Sequence, residues 1–301
     1  MSWRYVFVTN PCRITYTNNS IVVQTFEDSN YLNLDELNTI VIDTPEAVIT
    51  SRALVELSKK HVCIMFNDEK MLPSAMVNDS FGKAFSPKRI QTQINWPQER
   101  KEKLWTKIVG QKIINQIQTV RMFGADSRPL EKHLSCLEYN DETNQEAVVA
   151  SLYFSQVFSQ NFTRDNNAFD INGALNYGYT VLLNRITTEL SKHGILSQLG
   201  IHHHSVLNRY NLSSDLIEPW RFVIDNYVLS MEDVEMTPLN KARIVDRLNH
   251  EIKFNGKRQI VSNALNVYVE NCLRYLDGDT TKFEFEVEQV EEPNHENARN
   301  V

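Results

Sequence analysis

Short runs of β-branched and aromatic residues open the chain, each closed by polar turn residues: Trp3-Arg4-Tyr5-Val6-Phe7-Val8, Ile14-Thr15-Tyr16, Ile21-Val22-Val23-Gln24-Thr25, Ile40-Val41-Ile42 and Val62-Cys63-Ile64-Met65-Phe66. Such runs predict strands, because branched and ring side chains pack well on a pleated, half-buried surface. Asn18-Asn19 predicts the hairpin turn between the second and third, since Asn tolerates positive φ. One helix interrupts the strands: Thr50 to Lys60 brings Leu54 and Leu57 to one face, with Thr50 or Ser51 as cap. From Pro73 to Pro97 periodic apolar residues are few, and Ser80, Gly82, Ser86 and Pro87 suggest a linker.

After that the period changes. Leu104, Ile108, Val109, Ile113 and Ile114 recur at helical spacing, and the same rhythm returns over Glu146–Phe158, Leu175–Leu190, Asp215–Leu229, Pro238–Glu251 and Gln259–Leu276. The pattern predicts an α+β protein. A β-rich domain with one helix (1–75) and a linker (76–97) precede an all-α domain (98–276), and an acidic, flexible tail (277–301) ends the chain. Within the tail Phe283, Phe285, Val287 and Val290 alternate with glutamates, consistent with a short edge strand, and Glu291–Val301 is expected to be disordered.

Composition adds little to this picture except through charge. With 301 residues, two domains with cores of their own are expected. No apolar run reaches the roughly 20 residues that span a bilayer. Met1 to Val8 carries no leader pattern either, so no membrane association and a cytoplasmic address are expected. Cys12, Cys63, Cys136 and Cys272 form no Cys-x-x-Cys pair, which argues against zinc ribbons and redox motifs. The net charge of -7 argues by itself against a nucleic-acid partner, but its distribution reverses that. Residues 277–301 carry -6 of it, whereas Lys83 to Lys132 holds eleven basic residues against four acidic ones. That block suits a phosphate backbone, although a solvated basic helix face explains it equally well. Lys83, Lys88, Arg89, Lys107, Lys112 and Arg121 are its candidate DNA contacts, and Arg221 further along joins them.

Three segments carry potential chemistry. Asn144-Gln145-Glu146 starts an otherwise apolar helix, where a lone Glu ordinarily serves only the helix dipole. Gly200-Ile201-His202-His203-His204 offers adjacent imidazoles, of which one or two can face a single ion. In Ser213-Ser214-Asp215-Leu216-Ile217-Glu218-Pro219-Trp220-Arg221 a Ser cap precedes Asp215 and Glu218, three apart on one helical face, and Pro219 marks a bend. Two carboxylates and an imidazole make a partly open, mostly hard-donor set suited to Mg²⁺ or Mn²⁺.

At these residues the chain resembles the integrase of CRISPR adaptation, the first of the numbered CRISPR-associated proteins, in its type II-A form. The likeness runs from Met1 to about Leu276 and includes Trp3-Arg4, Leu72-Pro73-Ser74-Ala75-Met76, Asn144-Gln145-Glu146, Leu175-Asn176-Tyr177-Gly178-Tyr179, Gly200-Ile201-His202-His203 and Asp215 to Arg221. By this resemblance Glu146, His203 and Glu218 are both catalytic residues and ligands of Mg²⁺ or Mn²⁺. Where the family often has Gly and Ala-Ala after the first Glu, this chain has Ala147 and Val149-Ala150, which add bulk but leave the carboxylate. The resemblance implies a β-domain joined to a helical one, homodimers, and assembly with the small second CRISPR-associated protein. It implies joining of prespacer DNA 3′-hydroxyls to the leader–repeat of an array. A metal-dependent nuclease would use the same ligands with water as nucleophile, and a non-catalytic DNA-binding scaffold would need only the basic block.

Overall fold

The computed structural model describes residues 4–60, 62–68, 73–77, 86–158, 162–164 and 170–290. Lys83 and the terminal Glu291–Val301 lie outside them. The opening apolar runs become β1 (Arg4–Val8), β2 (Cys12–Thr17), β3 (Ser20–Gln24), β4 (Ser29–Asn33), β5 (Leu37–Ile42), β6 (Ala47–Ile49), β7 (Cys63–Asn67) and β8 (Pro73–Val77). β2 and β3 turn at Asn18-Asn19, with φ of 44° and 58°. Helix α1 (Ser51–Lys59) follows β6, and the Thr50 side chain accepts from the Ala53 amide. The strands form two sheets, ordered β1-β5-β7-β8 and β4-β3-β2-β6. Ile14, Ile21, Leu37, Ile40, Leu57 and Ile64 fill a shared core. β4 escapes the pattern reading because only Leu32 of its five residues is buried.

Part of the expected linker is helical. α2 (Pro87–Ile94) starts at Ser86, whose Oγ accepts from the Arg89 amide at 3.2 Å, with Pro87 in the first turn. Ser-Pro is a helix start independent of apolar content. The second core is organised by α3 (Gln98–Met122), which buries Leu104, Trp105, Ile108, Val109, Ile113, Ile117 and Val120. Around it lie α4 (Arg128–Ser135), α5 (Gln145–Val157), α6 (Asp170–Lys192), α7 (Asn211–Ile217), α8 (Arg221–Leu229) and α9 (Pro238–Asp246). α6 approaches α8 closely at Gly178, where a Cβ would stand 2.3 Å from Ile224 Cγ2.

The all-α expectation for this half needs correction. β9 (Glu251–Phe254) and β10 (Lys257–Ile260) form a hairpin through Asn255-Gly256, with φ of 49° and 74°. Asn-Gly between short alternating segments is a strong local hairpin signal, and it overrides the helical rhythm on either side. α10 (Val261–Asp277) therefore starts two residues later than expected, and β11 (Val287–Gln289) pairs with β9 from the other side. The tail as far as 290 is correspondingly not a free appendage. Phe283 and Val287 are 8% and 0% exposed, while Glu284 and Glu288 pair with Lys107 and Lys253. The alternation of apolar and acidic residues there is that of a strand with one buried face.

Candidate active site

The start of α5 is set by Asp141 rather than by the residue directly before the helix. Asn140, Asp141 and Asn144 all adopt positive φ, so the chain winds into the helix through left-handed turns. The nearly buried Asp141 carboxylate accepts from the Gln145 amide at 2.7 Å and the Glu146 amide at 3.0 Å. This double cap anchors Glu146 by its backbone and leaves its side chain free to reach across to α3. There it meets the Lys112 ammonium.

Glu218 arrives at the same ammonium from elsewhere. Pro219 has no N–H, and the chain passes from α7 into a tighter turn over Glu218–Trp220. Asn115 Nδ2, one helical turn beyond Lys112, donates to the Pro219 carbonyl at 2.8 Å and ties this turn to α3. Lys112 Nζ lies 2.5 Å from Glu218 Oε2, and Arg221 Nε donates to Oε1 at 3.0 Å. Burial opposes the ionised form of Glu218, but Arg221 and Lys112 outweigh it and hold the carboxyl down at about 2. Burial likewise opposes the Lys112 charge, and Glu218 with Glu146 more than offsets it, so its pKa is raised.

His203 is placed by Asp215. This carboxylate is fully buried and accepts from the amides of Ile201 at 2.7 Å, His202 at 3.2 Å and His203 at 3.0 Å. It also meets His203 Nδ1 at 2.6 Å, leaving Nε2 as the ring nitrogen that Asp215 does not engage. Only glycine fits at position 200, where a Cβ would fall 2.2 Å from the His203 carbonyl oxygen and 2.8 Å from Asp215 Oδ2. The hydrogen bond to Asp215 raises the His203 pKa against burial, with Glu218 and Glu146 adding to it. The neighbouring His202 is stacked on Trp105, with ring centroids 4.1 Å apart, and burial lowers its pKa.

Glu146 and Glu218 thus converge on one cationic point, in a cavity of about 190 Å³ lined also by Arg164, Tyr179 and Arg221. His203 is not among the residues lining this cavity; it is turned to Asp215 and edge-on to Trp105, close enough for the charges of Glu218 and Glu146 to act on its ring. Among the described residues no three His, Cys, Asp or Glu side chains close into a cation site by themselves. The donor types nonetheless fit a divalent ion. Two carboxylates face one positive centre, and an imidazole anchored through one nitrogen to a carboxylate has the arrangement by which ligating histidines are oriented. Asp215 and Glu218, expected on one helical face, take different partners because the loop amides claim Asp215.

The expected basic face is largely paired. Lys112 is 6% exposed and belongs to the site rather than to a solvent-facing surface. Arg89 pairs with Asp277, Lys107 with Glu284, Arg121 with Glu131 and Arg221 with Glu218, while Lys88 lies exposed on α2. Missed by the sequence reading are Asp141, the anchoring role of Asp215, and Asp225 of α8. Burial pushes Asp225 up to about 6, against hydrogen bonds from Tyr179 and Tyr153. The Tyr177-Gly178-Tyr179 motif was the available signal for that network.

Residues 5–262 match the family described as CRISPR associated protein Cas1. The CRISPR-associated endonuclease Cas1 of Neisseria meningitidis serogroup C is 32% identical over 260 residues, spanning 84% of this chain and 85% of that protein. In fold the chain resembles a casposase bound to integration product, at 17% identity and a TM-score of 0.75, covering 94% of this chain and 93% of that one. It also resembles a chain of a Cas6-RT-Cas1–Cas2 complex, at 16% identity and a TM-score of 0.69, over 92% of this chain and 35% of that one.

Proposed function

This chain belongs to the Cas1 family of CRISPR-associated proteins, and on that premise we propose that it is a metal-dependent DNA integrase and endonuclease of CRISPR adaptation, of the type II-A form. It joins the 3′-hydroxyl ends of a prespacer to the leader–repeat of a CRISPR array by transesterification. The observation that carries this reading is the convergence of Glu146 and Glu218, from α5 and the turn after α7, on a single cationic position.

Glu146, Glu218 and His203 Nε2 would hold Mg²⁺ or Mn²⁺. When bound, such an ion lowers the pKa of an attacking hydroxyl and neutralises charge developing on the phosphoryl oxygens. The rest is the work of this chain. Asp215 holds the His203 ring through Nδ1 and so keeps Nε2 available. Arg221 aims the Glu218 carboxylate, and Arg221 and Arg164 give the cavity a positive wall for a phosphodiester. Orientation of hydroxyl and phosphate in line accounts for much of the rate gain in such transfers. The reading includes action in the cytoplasm as a homodimer, with DNA and the second CRISPR-associated protein as partners. The shared fold with a chain of a Cas1–Cas2 complex supports the latter. Among the described residues no helix is long and apolar enough to cross a membrane.

The name of the Neisseria relative favours a second reading, hydrolysis with water in place of the 3′-hydroxyl. A hydroxyl-ended duplex is incubated with supercoiled array DNA and Mg²⁺ or Mn²⁺, with a chelator control. Joined product is expected. Shortened fragments alone select the nuclease, and activity unaffected by the chelator refutes the metal.

A further inference from the structure

Burying a lysine ammonium is costly unless it is paired, and Lys112 is 6% exposed. It is wedged between carboxylates of two separate elements, yet other groups hold the backbone of the first and the carboxylate of the second. Glu146 is anchored through its own amide by Asp141 at 3.0 Å. Glu218 is oriented through Oε1 by Arg221 at 3.0 Å. The remaining oxygen, Oε2, faces Lys112 Nζ at 2.5 Å without hydrogen-bond alignment, and it is buried with no donor of its own. A carboxylate oxygen so placed suits a charge without directional preference, as a hard metal ion has, better than a tetrahedral ammonium. The cavity that Lys112 helps to line gives its flexible stem room to move.

We propose that the Lys112 ammonium is a stand-in cation, neutralising Glu146 and Glu218 until a divalent ion enters and swinging aside when it does, so that Lys112 sets the affinity of the site for metal. This rests on the metal-site reading above. Without the lysine, two carboxylates aimed at one point repel each other, and an entering ion relieves that repulsion. With it, the ion has to displace a paired ammonium and leave it in a site already carrying Arg221.

The test is calorimetric titration of Mn²⁺ alone into the full chain, first stripped of divalent ions with a chelator. Lys112→Met is expected to bind Mn²⁺ at least about tenfold more tightly than wild type, or ~1.4 kcal/mol. A lysine with a merely structural role would leave affinity unchanged or weaken it, and either result overturns the proposal. Wild type provides an arm that needs no variant: acylation with mass-spectrometric readout should find Lys112 unreactive without the ion and reactive at saturating Mn²⁺. Unchanged reactivity overturns the proposal. Absence of Mn²⁺ binding by both proteins overturns the metal-site reading and this proposal together, whereas equal binding overturns the proposal alone.

Discussion

Glu218→Ala should cost this protein stability as well as activity. Glu218 is 6% exposed and pairs with Lys112, itself 6% exposed, and with Arg221. Removing one partner of a buried pair typically costs about 3–5 kcal/mol, because the other charge is left without compensation. Here the lower end applies. Lys112 keeps Glu146, and Arg221 keeps the Tyr179 ring 4.5 Å from its guanidinium carbon. A loss of ~3 kcal/mol lowers the melting temperature of a domain this size by roughly 6–12 °C. Glu146→Ala should cost less than ~1 kcal/mol, since that side chain is 25% exposed and solvent screens its pair. The measurement is urea unfolding followed by circular dichroism, on Glu218→Ala, Glu146→Ala, Lys112→Met and the double variant Lys112→Met with Glu218→Ala. If the buried ammonium is the source of the cost, the double variant recovers ~1 kcal/mol or more relative to the sum of the singles. Glu218→Ala within ~0.5 kcal/mol of wild type, or strict additivity in the cycle, refutes the reasoning.

Gly200→Ala forces its Cβ against the His203 carbonyl and Asp215, and the displaced loop should cut DNA joining by roughly 100-fold, as misplacement of about 1 Å does; near-normal rates would show that the loop yields freely. Ending the chain after Leu276 removes the buried Phe283 and Val287 and should destabilise by roughly 3–5 kcal/mol relative to a chain ending after Val290. Equal melting of the two truncations would contradict the packing of β11. Asp225 has its folded pKa raised from 3.8 to about 6, so its contribution is fully present below pH ~3.8 and is lost as pH rises through ~6. Asp225→Asn should flatten that part of the pH profile in denaturant titrations, and an unchanged slope between pH 4 and 7 would argue against the burial effect.

Much of the fold is local in origin and legible in the chain. Asn18-Asn19 has a turn in its own side chains, and Thr50 caps α1 whatever lies beyond it. Alternation and helical rhythm distinguish the strand-rich half from the helical half because burial on one face imposes those periods. The residue types of the proposed site, Glu146, His203 and Glu218, are equally visible. Asn255-Gly256 shows that the missed hairpin was also written locally, as turn chemistry rather than as periodicity. Tertiary structure decided which charges meet. Lys112 reads as one more member of a basic block, yet it is the buried centre to which Glu146 and Glu218 turn. Asp215 and Glu218 lie three residues apart and serve different partners, one the amides of the histidine loop, the other an ammonium on α3. A residue's period along the chain records whether it is buried, but the partner that makes a buried charge tolerable comes from whichever distant segment packs there, and only the packed molecule specifies it.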